Sequence, residues 1–356
     1  MGELYIKNSM NPKKSVLLIF TGGTISMTAD PDTGALRPAD FEVMMKLLPE
    51  LGELGIDIHG IPLLPLVDSS DIGPDTWERI ALVIQDNYAQ FDGFVVLHGT
   101  DTMSYSASAL SFMLEGLSKP VIFTGSQLPI GVLRTDAKEN MITAVEIAAA
   151  HSNGDAMVPE VCLFFEDKLF RANRTTKQNS EHFNAFASFN YPILAEAGVH
   201  IKYFPNYIRK SVNRTTLKVR TKTDRNVAIL KIYPGITEQT VQGVLNIPEL
   251  KAVVLETFGA GNAPRFDWFY RALKSAADRG IIIVNKSQCS TGMVEMGLYE
   301  TSLNLINAGV ISGYDSTTEA LITKLMYLLG ENDNVETVKR LMVTNLCGEI
   351  TTHPSP

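Results

Sequence analysis

Two short apolar runs in this chain stop in the same way: Val16-Leu17-Leu18-Ile19-Phe20 leads into Thr21-Gly22-Gly23-Thr24-Ile25, and Phe94-Val95-Val96-Leu97 leads into His98-Gly99-Thr100-Asp101-Thr102. Each run is apolar without alternation, as a strand buried on both faces must be, and such strands belong to parallel sheets covered by helices. In open parallel sheets the ligand crevice lies beyond the carboxyl ends of the strands, and glycine there lets a ligand approach the backbone closely. If the two strands are neighbours, their ends gather the Thr24 and Thr100 hydroxyls, the Asp101 carboxylate and the main-chain amides around Gly22, Gly23 and Gly99.

The rest of the chain keeps this rhythm. After Pro74, a residue suited to a first helical turn, Trp77, Ile80, Ala81, Ile84 and Tyr88 recur at helical spacing. A strand Gly93 to Leu97, a helix through Leu110, Met113, Leu114 and Leu117, a strand Val121 to Thr124, a helix from about Asp136 to Ala150 and a strand Val161 to Phe165 continue a βαβ series. Between Tyr203 and Arg225 the pattern breaks into a basic, polar stretch that reads as a solvated connector with one short strand pair. Strands at Val227 to Ile232, Ala252 to Glu256 and Ile281 to Val284 then alternate with a helix through Trp268, Ala272 and Ala276 and another ending before Gly309. Ser316-Thr317-Thr318-Glu319 reads as a capping box opening a helix that closes at Gly330. The expected architecture is α/β with two domains. A larger N-terminal domain, residues 1–204, holds a doubly wound, largely parallel sheet flanked by helices; a linker spans 205–225, and a smaller α/β domain with a parallel sheet spans 226–356.

A chain of 356 residues with 45% hydrophobic content can bury two such cores. Its net charge of −8 argues against nucleic acid or an anionic membrane as the principal partner. Lys13 and Lys14 precede an apolar run too brief for a signal peptide, and no stretch approaches the length that spans a bilayer. Cys162, Cys289 and Cys347 are odd in number and scattered, which fits reduced thiols in a cytoplasm.

A threonine hydroxyl becomes a useful nucleophile only when a base takes its proton. Lys177, in Asn173-Arg174-Thr175-Thr176-Lys177, is a candidate base if burial and a hydroxyl partner favour its neutral form. Taken singly, each threonine also reads as a turn residue bonding the local backbone. The polar knot Asp68-Ser69-Ser70-Asp71 suits a small zwitterion, with hydroxyls and amides for its carboxylate and Asp101 for its ammonium. Ser70 or Asp71 would equally cap the helix that begins near Pro74. Gly125-Ser126 lacks the spacing of a G-x-S-x-G elbow, no Walker lysine follows Gly22 and Gly23, and no G-x-G-x-x-G opens the first helix. His59, His98, His151, His182, His200 and His353 show no paired ligand spacing, so no metal or cofactor is implied.

Along nearly its whole length the chain resembles the bacterial type I, cytoplasmic L-asparaginases. Thr21-Gly22-Gly23-Thr24-Ile25 resembles that family's first signature and Gly93 through Met103 its second. Asp68-Ser69-Ser70-Asp71, Phe123-Thr124-Gly125-Ser126-Gln127, Asn173 through Lys177 and Phe258-Gly259-Ala260-Gly261-Asn262-Ala263-Pro264 follow in the family's order. The resemblance implies that Thr24 attacks the side-chain amide carbon of asparagine, releasing ammonia and leaving a β-aspartyl ester that water then cleaves. It implies that Lys177 helps Thr100 activate the attacking group, that Asp101 also anchors the α-ammonium, and that amides near Gly99 and Thr100 stabilise the oxyanion. Asp68, Ser69 and Ser70 would hold the α-amino acid end, and Asn262 would reach the site of a neighbouring subunit in an intimate homodimer, itself paired into a dimer of dimers.

The chain departs from the family twice. The loop Asp32-Thr33-Gly34-Ala35-Leu36-Arg37-Pro38 lacks the tyrosine that commonly closes the site, and Tyr314 in Ser312-Gly313-Tyr314-Asp315 is the first candidate to substitute. Thr176 and Cys289 match a regulatory asparagine site of some relatives, but Glu256 stands where those carry arginine, and a carboxylate repels a ligand's carboxylate. Weak or absent cooperativity is expected. Two other readings are a transfer-RNA-dependent amidotransferase subunit, whose relatives carry a further N-terminal domain, and an amino-acid-binding sensor on the same scaffold.

Overall fold

Ser15–Gly22 (β1) is the strand around which the first unit is wound. The computed structural model describes residues 13–29, 36–38, 43, 46–210, 216–297 and 300–351, and its backbone divides into two units, residues 1–221 and 222–356. The first unit joins β1 to Asp57–Val67 (β2), Gly93–Leu97 (β3), Val121–Thr124 (β4), Val161–Phe165 (β5), Lys168–Arg171 (β6), Ala195–Ala197 (β7) and Ile201–Tyr203 (β8). The sheet order is β8-β7-β6-β5-β4-β3-β1-β2. Strands β1 to β5 are parallel and β6 to β8 extend the edge antiparallel. The chain passes from β1 to β2 on one side and then crosses to β3 on the other, so the winding reverses between β1 and β3. That reversal is where an open α/β sheet leaves a crevice.

Register sets the crevice floor: Phe20 lies beside Leu97, Gly22 beside Val67, and Leu97 beside Thr124. Helix α1 (Pro74–Asn87) starts on its proline and buries Trp77, Ile80, Ala81 and Ile84. Helix α2 (Met103–Met113) leaves directly from the β3 turn. Helix α3 (Ala137–Ala149) lays Met141, Ala144, Val145 and Ala148 in the core with Val16, Leu18, Phe20, Val95, Leu97 and Ile122.

The cap of α1 is a correction. Its N-cap is Gly73, with no side-chain bond; Asp68 instead caps the 3-10 turn Ser69–Asp71. Within the stretch 205–225, Arg209 and residues 218–220 are bonded to the rest of the first unit. Arg209 N–H donates to Glu160, Lys218 and Val219 pair with Glu115 and Leu114, and Arg220 lies 3.2 Å from the Glu115 carboxylate.

The second unit is a four-stranded, fully parallel sheet of β9 (Val227–Lys231), β10 (Ala252–Thr257), β11 (Ile282–Ser287) and β12 (Ile311–Ser312) in that order. Helices α4 (Glu238–Leu245), α5 (Asp267–Asp278), α6 (Glu300–Asn307), α7 (Thr318–Glu331) and α8 (Val335–Met342) accompany it. Leu230, Val253, Leu255, Phe269, Leu273, Ile283 and Leu305 form its core. Helix α7 starts one residue later than the capping box suggests, with Thr317 accepting from Ala320 N–H at 3.1 Å. Gly330 lies inside this helix, where a Cβ would come within 2.4 Å of the Lys222 carbonyl. The glycine serves a close backbone approach and is not a terminator. Among the described residues no helix is long and apolar enough to cross a membrane.

Candidate active site

Glycines bring three strand ends into contact. A Cβ on Gly22 would lie 2.2 Å from the Val67 carbonyl, one on Gly23 would lie 2.4 Å from Gly99 N, and one on Gly99 would lie 2.6 Å from Ser69 Oγ. No side chain fits at any of these, and Gly22 and Gly23 also take positive φ angles of 121° and 83°. The ends of β1, β2 and β3 therefore touch backbone to backbone. Thr24, itself half-buried, opens a 3-10 turn directly after the Gly23–Gly99 contact.

Lys177 comes from far along the chain. After β6 a 3-10 turn, Ala172–Arg174, leads into Thr176–Lys177, which pairs with Phe186–Ala187. There Lys177 Nζ donates to Thr100 Oγ1 at 2.8 Å and to Asp101 Oδ1 at 2.6 Å. The lysine side chain is 18% exposed and that of Asp101 64% exposed. The structure thus joins Lys177, Thr100 and Asp101, and sets Gly22, Gly23, Gly99 and Ser69 against one another at the same strand ends.

The Asp68 carboxylate accepts from Ser70 N–H at 2.8 Å and from Ser70 Oγ at 2.7 Å. The backbone N–H and then the hydroxyl stabilise its charge, so its carboxyl lies below the ordinary value despite slight burial. Ser69 is buried, and its carbonyl accepts from Thr102 Oγ1 at 2.6 Å. The knot is therefore tied to the β3 turn.

His98 was absent from the sequence-based site. Its ring is fully buried, and desolvation, only partly opposed by its bond to the Gly99 carbonyl, pushes its pKa down to about 4. Nδ1 lies 2.7 Å from the Gly99 carbonyl and Nε2 lies 2.8 Å from Ser106 Oγ. A carbonyl only accepts, so the neutral ring carries its proton on Nδ1 and accepts from Ser106, which accepts in turn from Trp77 Nε1 at 2.9 Å. The Gly99 carbonyl is thereby turned toward the buried ring. In a planar trans peptide the Thr100 N–H points the opposite way.

Gln127 and Asp136 were also not assigned roles. Thr100 Oγ1 donates to Gln127 Oε1 at 3.2 Å, and the Asp136 carboxylate accepts from the N–H groups of Gln127 and Leu128. By position before α3 Asp136 looks like a helix cap, and only the folded loop reveals its different use.

In the second unit, Asn262 exchanges main-chain hydrogen bonds with Phe258 at 2.8 and 2.9 Å in the turn after β10. Tyr314 takes a φ of 53°, and its carbonyl accepts from Val294 N–H at 3.0 Å. Cys289 is an exposed thiol, and Glu256 accepts from Thr318 Oγ1 at 2.7 Å. Thr176 is half-buried beside Lys177 in the first unit. Residues 32–35 of the loop lacking tyrosine lie outside the described residues. Among the described residues, no three His, Cys, Asp or Glu side chains gather so as to hold a metal ion.

Residues 15–209 match the family model described as asparaginase, N-terminal, and residues 226–342 match the glutaminase/asparaginase C-terminal domain. The chain belongs to the asparaginase family. Within that family it is 44% identical over 340 residues to L-asparaginase 1 of Escherichia coli, covering 95% of this chain and 98% of that protein. The crystal structure of L-asparaginase I from Vibrio cholerae is 41% identical with a TM-score of 0.86, covering 96% of this chain and all of that one. The chain is also similar to the mouse 60 kDa lysophospholipase, 39% identical over 96% of this chain and 64% of that protein.

Proposed function

We propose that this asparaginase-family chain hydrolyses L-asparagine to L-aspartate and ammonia through a β-aspartyl ester on Thr24. One observation carries the reading: a lysine hydrogen-bonded to both a threonine hydroxyl and a carboxylate, at strand ends whose glycines place the Thr24 turn against the Thr100 turn. Thr24 Oγ1 attacks the side-chain amide carbon, and its proton leaves with the amide nitrogen as ammonia. Water then attacks the ester, passing a proton to Thr100 as Thr100 gives its own to neutral Lys177; the C–O bond to Thr24 breaks, and the Thr24 oxygen takes a proton back from this pair, which restores the neutral amine. The outward-facing Thr100 N–H, with amides near Gly99, meets the oxyanion.

Asp101 stays largely open to solvent while bonded to Lys177, which leaves it able to receive the α-ammonium. Asp68, Ser69 and Ser70 hold the α-amino acid end. Asn262 acts in a neighbouring subunit's site, so the working unit is at least a homodimer, and a dimer of dimers is the expected form. Tyr314 replaces the missing loop tyrosine, and Tyr314→Phe lowers turnover sharply. Glu256 stands where the relatives with a regulatory asparagine site carry arginine, while Thr176 and Cys289 match that site, so cooperativity is weak or absent, and a sigmoidal rate curve overturns that. The chain works in the cytoplasm without a cofactor.

The test is ammonia release from L-asparagine and L-glutamine by the parent and by Thr24→Ala. Asparagine turnover that Thr24→Ala abolishes supports the reading. Asparagine binding by both proteins with no ammonia released replaces it with a sensor.

A further inference from the structure

Thr100 has one hydroxyl proton, and its neighbours determine where that proton goes. Lys177 Nζ approaches Oγ1 at 2.8 Å as a donor, and the Gln127 side chain lies 3.2 Å from the same oxygen. An amide can present either end, but the far end of Gln127 meets the main-chain carbonyl of His182 at 3.2 Å. A carbonyl only accepts, so Gln127 Nε2 faces His182 and Oε1 faces Thr100. The Thr100 proton is therefore given to Gln127. The loop holding Gln127 is fixed in turn, because its N–H donates to both Asp136 oxygens at 3.1 and 3.0 Å.

We infer that Gln127 is a positioning residue for the Thr100–Lys177 pair. It accepts the Thr100 proton while Lys177 is charged, keeping a lone pair of Oγ1 directed at the lysine, and releases it when Thr100 turns to donate to the neutral amine. The inference rests on the reading that Thr100 and Lys177 move the proton of the attacking water. The step starts once the lysine has given its extra proton to solvent: the water proton arrives on Oγ1 as the Thr100 proton passes to neutral Nζ, the Thr24 oxygen takes a proton back as the ester C–O bond breaks, and Gln127 neither gains nor loses a proton.

The test compares Gln127→Leu, Gln127→Glu, Lys177→Met and the parent by kcat and KM for asparagine from the acid to the alkaline side of neutrality. Losing the acceptor in Gln127→Leu lowers kcat about tenfold, the worth of one hydrogen bond, with KM within about twofold. In Gln127→Glu the carboxylate still accepts from Thr100 but also holds the lysine proton more tightly. Its kcat therefore recovers toward the parent at alkaline pH, and its acid-side decline moves to higher pH than the parent's. A packing role alone gives no pH-dependent recovery. Parental kcat in Gln127→Leu, or a Gln127→Glu profile that superimposes on it, overturns the inference. If Lys177→Met keeps full rate, the proton-transfer reading fails and takes the inference with it; if Lys177→Met is inactive and Gln127→Leu is normal, Gln127 alone is wrongly assigned.

Discussion

Among the lysine–carboxylate pairs of the molecule, Lys324–Glu349 in the second unit and Lys177–Asp101 in the first differ most usefully in what surrounds them. Lys324 and Glu349 lie 2.5 Å apart with both side chains fully buried. Lys324 also donates to the Met342 and Thr344 carbonyls at 3.0 and 2.7 Å, so its ammonium protons are all used. Glu349 accepts from the N–H groups of Leu346 and Cys347. Burial pushes the Glu349 carboxyl up, but Lys324 and these N–H groups outweigh it and hold it below the ordinary value. This closed pair fastens the segment after α8 to α7. Lys177 and Asp101 are the open version, part-exposed and shared with a hydroxyl. The same two chemical groups hold shape where their bonds are complete and offer chemistry where solvent and a reactive neighbour remain.

Exchanging the perturbation between the pairs tests that contrast. Lys177→Met is expected to lower kcat by about a hundredfold to ten-thousandfold, the usual worth of a general base. Its unfolding free energy changes by no more than about 1 kcal/mol, as for an ion pair whose carboxylate stays in solvent. A variant that loses stability but keeps its rate would collapse the distinction. Lys324→Met leaves Glu349 buried without its cation and is expected to cost about 3–5 kcal/mol in urea denaturation. The folded fraction of that variant retains the parental KM, and a loss below about 1 kcal/mol contradicts the closed description.

Acid separates the units differently. His98 in the first unit is neutral when folded, with a pKa of about 4, whereas an exposed histidine takes up its proton near 6.5. The unfolded chain therefore binds protons first as pH falls. The His98 contribution is complete above pH 6.5 and declines by about 3 kcal/mol as pH drops through this window to about 4. Glu349 in the second unit has the lowered value of a paired carboxylate. Its contribution is present above the ordinary carboxylate range near 4.3 and is lost only as pH falls below it. Denaturation midpoints against pH check both, and a flat profile between neutrality and pH 4.5 refutes the histidine assignment. The smallest effect is Thr317→Ala, which removes the cap of α7 and costs about 1 kcal/mol by the same measurement.

Glycine at strand ends was the strongest sign in the sequence, yet the second unit carries the same sign with another outcome. A Cβ on Gly261 would lie 2.9 Å from Asn285 Nδ2, and one on Gly313 would lie 2.8 Å from the Asn285 carbonyl. Asn285 is fully buried, donates to the Gly261 carbonyl at 3.2 Å and accepts from Thr257 Oγ1 at 2.7 Å. Close approach there serves a satisfied interior amide. The antiparallel β6 to β8, of three or four residues with exposed or half-buried positions among them, were not legible because such short runs carry too little alternation, and the eight-residue helices α4 and α8 also went unread.

By itself the sequence determined two parallel-sheet units and the position of the Thr24 and Thr100 turns, because strand burial and glycine placement are local and periodic. Only the tertiary structure decided that Lys177 meets Thr100 and Asp101 across 77 and 76 positions, that Gln127 receives the Thr100 proton, and that His98 turns the Gly99 carbonyl inward. Such pairings depend on which strands become neighbours and in what register. No local pattern encodes a partner that sheet order brings from another part of the chain.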